Sequence, residues 1–78
     1  MELENKTEYN YSKLRGKIRE VFETEEAFAK ALDISSVTLS KIFNGKSEWG
    51  QDLINRSCDL LHIDYSYIPV YFFTQKVK

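Results

Sequence analysis

The chain has 78 residues, 42% of them hydrophobic and 29% charged, with a formal net charge of −1. That length supports one small domain, and the composition argues against general disorder. The single cysteine, Cys58, excludes an internal disulfide framework, and no apolar run approaches the roughly 18–20 residues that span a bilayer.

With no secretory pattern in the polar opening "MELENKTEYN", the expected location is the cytoplasm. The net charge hides an uneven distribution. Residues 1–10 set Lys6 against Glu2, Glu4 and Glu8, and residues 47–78 hold three bases against four acids. Residues 11–46 hold seven bases against five acids, so the middle is basic and the ends are acidic. Residues 1–9 read as a flexible acidic tail, 10–73 as a helical domain, and 74–78 as a C-terminal tail or short strand.

The first helix is expected over Tyr11–Phe22. Leu14, Ile18, Val21 and Phe22 recur at helical spacing, and Asn10 or Ser12 can cap the start. Lys13, Arg15, Lys17 and Arg19 fall on the outward side; they read as a solvated face, with Lys17 a candidate phosphate contact. Thr24 is the expected N-cap of the second helix, and Glu25 and Glu26 occupy the first turn, where the helix dipole favours acids. Phe28, Ala29 and Leu32 form its inner side. The helix ends near Asp33, a residue type that tolerates the left-handed conformation of a tight turn.

Ser35 then caps a third helix running to about Phe43, and Asn44-Gly45 supplies the stop. Between the second and third helices a short turn and the small Ala29 allow two axes to cross closely. Ile34, Leu39 and Ile42 pack inward, so Ser36, Val37, Ser40, Lys41 and Asn44 are forced outward, with Thr38 at the edge. The outward set contains no acid. Hydroxyl and amide groups can pair with base edges, Lys41 with guanine acceptors, and Val37 or Thr38 with a thymine methyl. Ser35 and Lys46 are positioned for phosphate, beside the free N–H groups that open the third helix. An amphipathic helix with a plain polar face explains the stripe, but not its combination with the short turn, Ala29, the acid-free face and the "NG" stop.

A fourth helix is expected over Gln51–Leu61, with Trp49 just ahead of it closing the core. Cys58 and His62, four residues apart, are too few for a structural zinc site, and Cys58 reads as core. The closing stretch "YSYIPVYFFTQKV" is dense in aromatics; Pro69 suits the first turn of a short helix after Ile68. Tyr67, Tyr71, Phe72 and Phe73 are the candidate interface, because one small bundle cannot bury so many large side chains. No grouping of side chains supports enzymatic chemistry, a cofactor or a metal.

The segment "TEEAFAKALDISSVTLSKIFNGK" resembles the helix-turn-helix of the lambda-type repressor and Cro (XRE-type) superfamily. The longer chain, with "YSKLRGKIREVF" and "IPVYFFTQKV", is similar to small Cro-like or repression-modulator proteins of phages of Gram-positive bacteria. The resemblance implies an all-α, compact bundle of four to five short helices containing a helix-turn-helix at helices 2 and 3. It implies contacts from Ser36, Val37, Thr38, Lys41 and Asn44 to operator DNA, made by a homodimer that represses by occlusion. Two departures stand out: the family's phosphate-bonding glutamine at the start of helix 2 is Glu25, and its turn glycine is Asp33. Operator binding is the leading expectation; Glu25, the acidic balance and the aromatic tail motivate the alternative, an antirepressor that binds a repressor protein.

Overall fold

A computed structural model of the chain describes residues 9–75. Among the described residues it has five α-helices: α1 Ser12–Phe22, α2 Glu25–Leu32, α3 Ser36–Phe43, α4 Gln51–Leu61 and α5 Ile68–Phe72. A 3₁₀ turn at Tyr65–Tyr67, absent from the sequence expectations, leads into α5. The architecture is the expected all-α bundle.

Each boundary has a local cause. Helix α1 starts one residue later than expected, because Asn10 Oδ1 accepts from the Ser12 N–H at 2.8 Å. Thr24 caps α2 by accepting from the Ala27 N–H at 3.0 Å, and Ser35 caps α3 by accepting from the Thr38 N–H at 3.0 Å. Asp33 ends α2 with φ 65° while the Ile34 N–H reaches back to the Ala29 carbonyl at 3.0 Å. Gly45, at φ 77°, ends α3 in the left-handed region that glycine enters without steric cost. Pro69 stands in the first turn of α5, where its missing N–H costs nothing.

Leu14 and Ile18 from α1, Phe28, Ala29 and Leu32 from α2, and Leu39 from α3 meet Ile54, Cys58 and Leu61 from α4, with Ile63 and Phe72 closing the cluster. Burying a side chain of this size contributes about 1.5–3 kcal/mol, so this cluster is the main source of stability. Val21 departs from its expected place and is 38% exposed. Leu14, Ile18 and Phe22 lie four apart and keep one line, which leaves Val21 at its edge.

Arg56 ties the α2–α3 turn to α4. Its Nη2 donates to the Leu32 carbonyl at 2.9 Å, satisfying an acceptor that the end of α2 leaves unpaired. At the ends of the described chain, Tyr9 pairs with Gln75 in an antiparallel bridge, and the Asn10 N–H donates to the Thr74 carbonyl at 2.7 Å. Tyr9 and Gln75, read from sequence as belonging to terminal tails, therefore hold each other. The rest of both expected tails, residues 1–8 and 76–78, lies outside the described residues.

Candidate functional site

The surface of α3 follows from its buried side. Leu39 and Ile42 point into the protein, which turns Ser36, Val37, Thr38, Ser40 and Lys41 to solvent, with Asn44 just beyond the last turn. All six candidate contact residues are exposed and form one continuous strip, as are Ser35 and Lys46 at its two ends. Val37, 63% exposed, is an apolar knob in the middle of that strip.

Part of the polar inventory is already engaged. Ser35 Oγ accepts from the Thr38 N–H and donates to Thr38 Oγ1 at 2.9 Å. Asn44 Nδ2 donates to Ser40 Oγ at 3.4 Å, a long contact that a partner can displace. The N–H groups of Ser36 and Val37 have no acceptor within the helix and face outward at its positive end. Lys17 is set apart from this strip. It lies on α1, and its ion-pair partner among the described residues is Glu20, one turn along, at 3.9 Å.

The side of the strip toward α1 is built by a group that sequence spacing did not reveal. Glu25, the first residue of α2, turns its carboxylate to Arg15, with Nε–Oε2 at 2.8 Å and Nη2–Oε1 at 3.2 Å. The Arg15 guanidinium also lies over the Phe43 ring, 4.7 Å from its centroid. One side chain of α1 thereby joins the start of α2 to the end of α3. Residues 15, 25 and 43 share no periodicity, so only the opposite charges of Arg15 and Glu25 hinted at a pair. The Glu25 charge is thus directed at a cation of its own chain, Arg15, which it occupies.

Beyond the C-terminal end of α3, aromatic side chains continue from Phe43. Tyr11 lies 5.4 Å from Phe43 and 6.5 Å from Trp49 between ring centroids, and Trp49 meets the buried Phe72 edge-on at 5.1 Å. Tyr9 and Phe73 extend the series, edge to face at 5.6 Å. Burial pushes the Tyr11 phenol above its ordinary value; the Trp49 indole N–H opposes that shift without the geometry of a hydrogen bond.

The aromatic interface expected at the C-terminus needs one correction. Phe72 is fully buried and packs in the core, because it faces inward from α5 opposite Tyr67 and Val70. Tyr71 is half-buried against the same core. The exposed part of that region is Tyr65, Tyr67, Val70 and Phe73. Cys58 is buried, with its thiol pushed up by burial and by the neighbouring Asp59 carboxylate, while His62 is exposed at a left-handed position ending α4. No helix among the described residues is long and apolar enough to cross a membrane.

Comparison with known proteins adds three findings. The solution structure of the modulator of repression (MOR) of the temperate bacteriophage TP901-1 from Lactococcus lactis matches with a TM-score of 0.77 and 40% sequence identity. The match covers 90% of this chain and 95% of that one. No curated protein matches the sequence. A family model described as "Protein of unknown function (DUF739)" matches residues 7–75. With all of its described length matched, the chain belongs to the DUF739 family.

Proposed function

We propose that this protein is a phage or prophage modulator of repression that acts by binding a repressor protein through the exposed face of α3. The observation that carries the proposal is the 40% identity, over 90% of the chain, to a phage modulator of repression. The charges around the α3 face support a protein partner. A duplex reader neutralises several phosphates with free cations, yet here Arg15 is taken by Glu25, and the first turn of α2 presents Glu25 and Glu26. Lys41 and Lys46 are what the strip itself offers. A strip of hydroxyls, one amide and the Val37 knob is well suited to a protein surface, where moderate polarity and one apolar anchor suffice.

A second reading, operator binding by α3 itself, is favoured by one specific feature: the outward, acid-free start of α3 with the unpaired N–H groups of Ser36 and Val37. A gel shift separates the two. The purified chain, the repressor of the same phage and a labelled operator fragment are combined pairwise and together. Under the favoured reading the chain alone leaves the operator unshifted, and its addition abolishes the repressor's shift. A salt-sensitive, sequence-specific shift by the chain alone supports operator binding instead. In that case Glu25→Gln, which releases Arg15, strengthens the shift, and Lys41→Ala weakens it by about 1–3 kcal/mol. Loss of repressor release in Val37→Asp, with the fold intact, is the expected signature of a docking α3 face.

A further inference from the structure

Tyr9, Tyr11, Trp49 and Phe73 line a cleft of about 410 Å³ at the C-terminal end of α3, with the exposed Glu48 on its wall. We infer that this cleft receives an arginine side chain of a partner protein. The aromatic π-faces carry partial negative charge, so a cleft walled by four such rings attracts a cation. Glu48 adds a full negative charge, and no cation among the described residues pairs with it. The same charge repels phosphate, which disfavours a nucleotide in this place. A guanidinium fits better than an ammonium, because it is planar, stacks on rings and sheds water more readily.

The protein itself shows the mode next door. Arg15 pairs with the Glu25 carboxylate and covers the Phe43 ring, and Phe43 is in contact with both Tyr11 and Trp49, at 5.4 and 6.0 Å between centroids. One end of this run of rings thus already holds an arginine flanked by a carboxylate. At the other end Glu48 lines the cleft beside the rings, and no arginine from the described residues pairs with it. The inference rests on the reading that the partner is a protein, and gives that partner a chemistry: a basic side chain entering beside the α3 face.

Trp49 is the sole tryptophan, so indole emission of the full-length chain comes from a residue of the cleft wall. The probe is the capped peptide acetyl-Gly-Arg-Gly-amide, with the isosteric, uncharged citrulline peptide as its comparison. The arginine peptide should change Trp49 emission saturably at millimolar concentration, and the citrulline peptide should bind at least about fivefold more weakly. Glu48→Gln should weaken the arginine peptide about threefold or more, with unchanged circular dichroism. Glu26→Gln, which removes an exposed charge of the first turn of α2 that has no ion-pair partner among the described residues, should leave it unaltered. Equal binding of the two peptides, no saturable change, or equal effects of the two substitutions overturns the inference, as does saturable quenching by a thymidine oligonucleotide in place of the arginine peptide. Repressor release is measured separately, so arginine binding in a chain that ignores the repressor removes the function proposed above and leaves the cleft assignment standing.

Discussion

Arg15, an exposed side chain, links α1 to both α2 and α3. It forms a two-pronged contact with Glu25 and covers Phe43, so its removal loses an ion pair and a cation–π contact together. Each is small at a partly exposed site, and the pair is screened by solvent, so Arg15→Ala should destabilise by about 1 kcal/mol in urea unfolding. Arg15→Lys should recover less than half of that, because an ammonium can neither fork to both oxygens nor stack flat. Full recovery by lysine would mean that charge alone matters here. Asp33 is the opposite case, a residue held at φ 65°. Glycine has no Cβ to strain there, so Asp33→Gly should raise stability by about 0.5–1 kcal/mol in the same measurement. A loss would show that the Asp33 side chain contributes something its backbone does not.

The helices themselves were largely legible in the sequence because their signals are local. Thr24 and Ser35 as caps, Asp33 and Gly45 as stops, and Pro69 in a first turn all act within four residues of themselves. Ser35→Ala should cost about 1 kcal/mol by removing the acceptor for the Thr38 N–H, read as a lowered midpoint of thermal unfolding. An unaltered midpoint would mean that water replaces the cap. What the sequence could not convey were relations between distant positions. Nothing in the spacing of Arg15, Glu25 and Phe43 announces a cluster, and Tyr9 and Phe73 meet only because the two ends of the described residues fold to the same place. For the same reason the aromatic tail was read as one surface, although Phe72 takes the inward position that a five-residue helix must supply to the core. The strip on α3 was readable because one helix, with its own period, displays all of it.

At the scale of the whole molecule, stability depends on burying a few large side chains, among them groups that must stay uncharged. Cys58 and Tyr11 both have proton affinities raised chiefly by burial. The folded state then holds its protons to higher pH than the unfolded chain does. Their contribution is complete below the unfolded values, about 8.5 for cysteine and 10 for tyrosine, and is lost as pH rises through the folded ones. Urea unfolding should therefore show stability falling from about pH 8.5 upward, and Cys58→Ala should flatten the first part of that fall. A wild-type curve that is level to pH 10 would contradict the burial argument.

The pairing of Tyr9 with Gln75 has a kinetic meaning as well. It joins the first and last residues of the described chain, so it closes the longest loop there and is expected to form after the helices have packed. What assembles last commonly opens first, through local excursions that leave the core intact. The Asn10 amide, bonded to the Thr74 carbonyl, should thus exchange with deuterium much sooner than the Leu39 amide inside α3. Because Tyr9 and Phe73 are walls of the aromatic cleft, each such excursion dismantles the cleft, and an occupant that clasps both walls should slow Asn10 exchange in proportion to its occupancy.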